Sequence, residues 1–502
     1  MRYLLLIALL LCSTIADAQL TEKIIEINAD TNVGSSLGNF TAFKNKVYFY
    51  ANDSVHGVEL WVTDGNSASI VVDIWPGYQH GTFGGYGFKR ICVVKDTLYF
   101  AGRYPNVTDK VIYKYDGQNT PTVAIDLSSF SGYAYEFVEV NGLMYFVAEY
   151  QNSKIGLFEY TPSTGIVKQL TYDTSTYKTY GYSKLANFNN KLYFAGIGPG
   201  NTGPELHEYN PQSQTFNTIS EIVKGPDGIG GFNTIEVYNN RLYFSANLTN
   251  SNSYLHLFEY DGTNPPIEFS NGSNIPVRFA WPNLAKKCYT FLYNKIYISG
   301  YDTITKKSDL YQYDPSNKSF YRIGEDSISA TYDLLTYNQK IYHYHSQKVR
   351  INELNGPSYS LSSVNPTITF SPSIANRYGY IIHDGKLITV SSSANNQELL
   401  ILYDSTLSIN DTKNQATLSV TAYPNPTEGD VQLDITLKTS QAFSVLLTDI
   451  NGRIVYRKEA QLYSSGKHTI DIPTNNLPAA TYIYSIQDNA GTILNSGRLL
   501  KQ

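Results

Sequence analysis

The sequence is short of helix formers, of cysteine and of charge. Only two of its 502 residues are Met and 16% are charged, so the side chains that sustain long helices are scarce. Three Cys give no disulfide framework. Cys12 sits in the N-terminal segment, while Cys92 and Cys288 fall in different repeats and are expected as two buried thiols. The net charge is −5 and stays there when residues 1–18, which hold Arg2 and Asp17, are removed. With no basic field, nucleic acid and anionic lipid surfaces are excluded as partners. Long hydrophobic runs are missing too. The longest, Leu4 to Leu11, makes a helix of about 12 Å against the ~30 Å of a bilayer core, so no transmembrane segment is expected.

What is present points the other way, to strands. Aromatic residues reach 14%, with 44 Tyr among them, and all-β is the expected class. At the N-terminus Arg2, the apolar run and the small-residue site Ala16-Asp17-Ala18 before Gln19 read as a signal peptide, residues 1–18, cut after Ala18. Leu11 precedes Cys12 where a lipid-attachment site wants a small residue, so lipidation is not expected.

A chain of this length exceeds one growing core, and an internal repeat resolves the excess. A hairpin signature runs from Phe40 to about Asp404: FTAFKNKVYF, CVVKDTLYF, VEVNGLMYF, LANFNNKLYF, IEVYNNRLYF, TFLYNKIYI, LLTYNQKIYH and IIHDGKLIT. Its shared Tyr is Tyr48, Tyr99, Tyr145, Tyr193, Tyr243, Tyr297 and Tyr342, with Ile388 in the eighth copy. Polar pairs such as Asn141-Gly142, Asn189-Asn190 and Asp384-Gly385 suit the positive φ of tight hairpins. A third run follows in each copy, from ELWVTDG at Glu59 through ELHEYNP to ELLILYD, and a fourth in most. Four antiparallel strands per copy make the blade of a β-propeller, predicted over residues 19–412 with eight blades, or seven if the degenerate seventh copy is an insertion. The last copy lacks a fourth strand, whereas KIIEIN at Lys23 to Asn28 looks like a fourth strand without its first three. Donating it to the last blade closes the ring and removes an open edge.

Two stretches carry family resemblances. Glu59 to Gly65 resembles the "ELWxTDGT" repeat of large secreted bacterial propellers; elsewhere that motif thins to L-x-x-Y-D. From about Thr417 the strands shorten: YPNPTEGDVQL, LLTDINGRIV, GKHTIDI, LPAATYIYSI and a basic end, read as a small β-sandwich over 413–502 with Asn451-Gly452 as a hairpin turn. In order and spacing, from Pro424-Asn425-Pro426 through Asp449 and Gly452-Arg453, this tail is similar to the C-terminal sorting domain of the type IX (Por) secretion system. The resemblance implies passage through the outer membrane, the secretion machinery as partner, and a product released or held at the cell surface. Ala480 departs from it, standing where the family has Gly.

The residues give no catalytic, cofactor or metal signature. Gly81, Gly84, Gly85 and Gly87 lack the strand-to-helix context of a phosphate loop. His343 and His345 share a strand face without a third ligand. Asp64, Asp116, Asp261 and Asp314 recur where turn chemistry suffices. The loops linking each outermost strand to the next innermost one hold few carboxylates: Glu136, Asp173, Asp227, Glu325, Asp326 and Asp333. They hold many aromatics, and Trp75, Tyr78, Tyr86, Tyr133, Tyr135, Tyr180, Tyr182, Trp281 and Tyr332 are the candidate ligand-binding residues. Two functions fit: a monomeric, non-catalytic module binding glycan or protein, and a secreted polysaccharide hydrolase or lyase with a carboxylate pair across the funnel.

Overall fold

The computed structural model describes residues 20–29, 34–82, 88–105, 110–151, 154–172, 176–179, 183–199, 203–220, 222, 234–246, 256–269, 277–278, 289–292, 294–302, 307–322, 332–337, 340–345, 348–353, 379–393, 396–404, 418–449, 454–487 and 493–502. The chain divides into two compact units, residues 1–408 and 409–502. Among the described residues every regular element is a strand, and no helix is long and apolar enough to cross a membrane.

The first unit holds eight antiparallel sheets among its described residues, one per copy of the repeat. Sheet 1 runs Gly38–Phe43, Lys46–Asn52, Val58–Thr63 and Ala68–Val72, and sheet 2 runs Ile91–Val94, Thr97–Arg103, Lys110–Tyr115 and Thr122–Asp126. Sheet 3 (Ala134–Gln169), sheet 4 (Lys178–Ser220), sheet 5 (Thr234–Glu268) and sheet 6 (Val277–Arg322) repeat the order, sheets 4 and 6 with a split first strand. Sheet 7 has three strands, Tyr332–Tyr337, Lys340–His345 and Lys348–Glu353.

Local chemistry explains the hairpins. Lys44 and Asn45 (φ 47° and 59°), Asn141 and Gly142 (53° and 78°), Asn189 and Asn190 (51° and 60°) and Asp384 and Gly385 (53° and 71°) all take the left-handed conformation. That pair of angles matches the twist of the strands it joins. The recurrent Asp at the next turn works differently, by receiving backbone amides. Asp64 Oδ1 accepts from Asn66 and Ser67, Asp116 Oδ1 from Gln118 and Asn119, and Asp261 Oδ1 from Thr263 and Asn264, each N–H at 2.8 Å.

Sheet 8 is where the two ends of the unit meet. Its strands Ile381–His383, Lys386–Ser393 and Asn396–Asp404 come from the last copy, and its fourth is the N-terminal Leu20–Ile25, paired from Leu20 opposite Asp404 to Ile25 opposite Leu399. The strand sits slightly earlier than the KIIEIN reading placed it. Glu398 is the reason: its Oε2 accepts the Ile27 N–H at 2.5 Å and its Oε1 the Ser35 hydroxyl at 3.0 Å, so the backbone leaves the ladder after Ile25.

Apolar side chains are shared between consecutive sheets, not kept within one. Phe43, Tyr48 and Leu60 of sheet 1 pack with Ile91, Leu98 and Phe100 of sheet 2. Further clusters join sheets 2 and 3, 3 and 4, 4 and 5, 5 and 6, 6 and 7, and 7 and 8. One more joins Ile388, Leu399 and Ile401 of sheet 8 to Phe40, Val47 and Phe49 of sheet 1. Lys386 Nζ also reaches the Gly65 carbonyl, 3.5 Å away in sheet 1.

The abundance of Tyr has a structural cause. The Tyr shared by the second strands packs on the Tyr of the third strand in the next sheet, with ring centroids 5.8 Å apart for Tyr48 and Tyr115, 5.7 Å for Tyr99 and Tyr160, 6.1 Å for Tyr145 and Tyr209, and 5.9 Å for Tyr193 and Tyr260. Tilted and edge-on pairs at this distance contribute about 0.5–1.5 kcal/mol each beyond their burial.

The second unit is a sandwich. Leu418–Tyr423, Val431–Leu437 and Gly466–Ile472 form one sheet; Gln441–Asp449, Ile454–Tyr463, Ala480–Gln487 and Ile493–Lys501 form the other. Val431, Leu433, Ile435 and Leu437 alternate inward against Phe443, Val445, Leu447 and Ile486 of the facing sheet, with polar residues between them turned out. Ala480 opens a strand and is not among the positive-φ residues, so its methyl costs nothing there. Asn451 to Arg453 lie outside the described residues.

Candidate functional site

The described part of the aromatic loop face is built around two anchors, a buried carboxylate under the loop between sheets 1 and 2 and a belt of buried polar and charged residues, Asn39, Arg90, Glu136 and Lys184, on or just before the first strands of sheets 1 to 4.

Glu59, first residue of the ELWVTDG run, is fully buried. Its Oε1 accepts the Gly81 N–H at 2.8 Å and the Trp75 N–H at 3.4 Å, so one carboxylate fixes both limbs of the loop. Among the described residues its Oε2 has no hydrogen-bond partner. Burial pushes the Glu59 carboxyl up to about 8, against the amide bonds that pull it down and with Asp73 adding to the rise. The same residue does the same work elsewhere: Glu205 of ELHEYNP accepts the Ile222 N–H at 2.8 Å, and Glu398 of ELLILYD holds Ile27. Each captures the backbone just after the fourth strand of its own sheet. The sequence signal for this role is the Glu-Leu start of three third-strand runs, at Glu59, Glu205 and Glu398.

The belt rests on two bulges. Asn39 (φ 62°) and Glu136 (φ 54°) interrupt the pairing of their strands, which turns their side chains toward neighbouring sheets. Asn39 Oδ1 accepts the Arg90 N–H at 2.7 Å. Glu136 Oε1 accepts Lys184 Nζ at 2.6 Å and the Lys89 N–H at 3.3 Å. Arg90 lies over Phe88 and Tyr135, 5.5 and 5.0 Å from the ring centroids, and Lys184 Nζ lies 5.1 Å from Phe88. Sheets 1, 2, 3 and 4 are thus stitched by one polar run.

The candidate ligand residues separate accordingly. Tyr78 is 76% exposed. Trp75 is partly exposed, with the Arg103 guanidinium 5.8 Å from its ring. Tyr133 is partly exposed, 5.0 Å from Lys110 Nζ and 6.3 Å from Tyr135. Tyr135 is buried, its ring 4.7 Å from Phe88. Tyr86, Tyr180, Tyr182 and Trp281 lie outside the described residues, and Tyr332 is described only as the first residue of its strand. Of the loop carboxylates Glu136 is engaged as above; Asp173, Asp227, Glu325 and Asp326 lie outside the description, and Asp333 is placed only in its strand. His343 and His345 are on one strand, their side chains undescribed. Among the described residues no three His, Cys, Asp or Glu gather as a metal site. Cys92 is buried and free, its thiol pushed up to about 12 by burial; Cys288 lies outside the description.

Comparison with known proteins assigns the tail. Residues 421–496 match the family model of the secretion system C-terminal sorting domain. No curated protein matches the chain in sequence. Among solved structures the chain is similar to PorZ, a surface component of the type-IX secretion system of Porphyromonas gingivalis, at 15% identity and a TM-score of 0.42, over 93% of this chain and 69% of that one. It is similar to an oligogalacturonate lyase in complex with manganese at 10% identity and 0.40, over 74% and 98% of the two chains. A puromycin-hydrolyzing peptidase of Mycobacterium tuberculosis follows at 11% and 0.42, over 73% and 60%. The first unit keeps its function open, whereas residues 421–496 match a secretion system C-terminal sorting domain, which implies secretion or attachment to the cell surface.

Proposed function

We propose that this chain is an exported eight-bladed β-propeller acting at or beyond the cell surface as a non-catalytic binding module for glycan or protein. Residues 1–18 are its cleaved signal peptide, 19–412 the propeller and 413–502 the domain that engages the secretion machinery. The sorting-domain match over 421–496 carries the export half of this reading. The run of apolar clusters that passes through eight sheets and returns from sheet 8 to sheet 1 supports the blade count. Aromatic residues on the inter-blade loops, Tyr78 the most exposed of them, support binding by stacking and shape. The alternative, a polysaccharide hydrolase or lyase, needs a carboxylate free to hold or release a proton; Glu136, the one of the six loop carboxylates whose side chain is described, is instead committed to Lys184.

The test is a glycan and protein binding screen on the mature chain, with product analysis of every hit. Binding without turnover supports the module; released sugar overturns it in favour of the enzyme.

A further inference from the structure

The described part of the loop after Val72, residues 73–82, is pinned by hydrogen bonds at its base and exposed at its tip. At the base Glu59 holds the amides of Trp75 and Gly81. Thr82 donates its N–H and its hydroxyl to the Val58 carbonyl, both at 2.9 Å, the Val58 N–H donates to His80 Nδ1 at 2.9 Å, and the Arg103 N–H donates to the Gly81 carbonyl at 2.8 Å. Gly81 fits so closely that a Cβ there would stand 2.3 Å from Glu59 Oε1. At the tip, Gly77 takes φ 92°, Tyr78 is 76% exposed, and the partly exposed indole of Trp75 carries the Arg103 guanidinium over one face, 5.8 Å from the ring centroid. A fixed base beneath two presented rings is the arrangement that lowers the ordering cost of binding.

The tip's surroundings select among ligands. Among the described residues of the tip, Pro76, Gly77 and His80 are exposed and Gln79 partly so, which offers an aliphatic side chain or an acyl chain little apolar surface there. A pyranose ring asks for less: a flat aromatic face for its C–H groups and polar groups around the edge for its hydroxyls. We infer that the Trp75–Tyr78 segment is a sugar-binding platform for a polysaccharide, with Glu59 as its positioning residue. This rests on the reading of the chain as a binding module and names the ligand class and the loop that takes it.

The intact mature chain is run by native electrophoresis through gels containing mannan, xylan, β-glucan or polygalacturonate. At least one polymer retards it. Trp75→Ala and Tyr78→Ala each weaken that retardation about tenfold or more, equivalent to about 1.4 kcal/mol. Tyr423→Ala, an equally exposed tyrosine of the sorting sandwich, leaves it unchanged. Glu59→Leu, which removes the acceptor of both loop amides, lowers the affinity, and Glu59→Gln, which keeps an oxygen there, restores it; circular dichroism confirms that each variant is folded. Retardation undiminished in both alanine variants overturns the platform while leaving the module reading intact. If none of the polymers retards the chain, the platform is overturned; if the protein screen also finds no partner, the module reading falls with it.

Discussion

Glu59 makes the repeat unit's stability depend on pH in a direction opposite to that of most carboxylates. Its carboxyl moves from the ordinary 4.5 up to about 8 because burial disfavours the charged form. The folded chain therefore binds this proton more tightly than the unfolded chain, and the contribution to stability is greatest below pH 4.5, declines as pH rises toward 8, and is flat above. At 1.36 kcal/mol per tenfold change, the full excursion is worth about 5 kcal/mol. Glu59→Gln keeps the acceptor and has no proton to lose, so the difference between the two proteins isolates the effect. Urea unfolding of the mature chain, followed by Trp fluorescence, reports it, since Trp61 and Trp75 lie beside Glu59 in the chain and on its loop. Between pH 5 and pH 9 the wild-type midpoint should fall relative to the variant by more than about 1 M, taking a slope of about 3 kcal/mol per M. A difference that is the same at both pH values refutes the reasoning, because it would mean that Glu59 titrates alike in the folded and unfolded chain.

Two further outcomes are expected. The cycle of Tyr99→Leu, Tyr160→Leu and the double variant should give a coupling of about 1 kcal/mol in denaturant unfolding, because the rings lie 5.7 Å apart across two sheets; coupling near zero would show that the tyrosines act through burial alone. Ending the chain at Gln415 should hold the protein in the periplasm, read by fractionation, and finding the shortened chain outside the cell would contradict the sorting role of the tail.

Much of the architecture was legible because it depends on neighbours in sequence. Asn189-Asn190 and Asp384-Gly385 announce hairpins since the φ they require is a property of those residues, and the alternation from Val431 to Leu437 announces a half-buried strand. The N-terminal strand was legible for a different reason: the last repeat lacked a partner and the first segment lacked a sheet. What sequence hid was contact between copies. Tyr48 and Tyr115 read as two repeated letters, and only folding brings them together. Tyr135 reads as a loop aromatic, yet Phe88 and Arg90, from the preceding repeat, cover it. Glu59 looked like one charged residue in a strand because nothing local shows that Gly81, 22 positions on, will bring its amide to it.

In the proposed eight-bladed ring, the strand Leu20–Ile25 completes the last sheet and so joins the two ends of the repeat unit. Thr21 stands opposite Tyr403 in that pairing, and directly opposed residues of antiparallel strands lie about 4.5–5.5 Å apart at Cα, within disulfide range. Thr21→Cys with Tyr403→Cys should therefore form a disulfide in the native protein under mild oxidation, found by mass spectrometry as one peptide joining the two positions. A natively folded double variant whose two thiols stay free under the same conditions would contradict the closure.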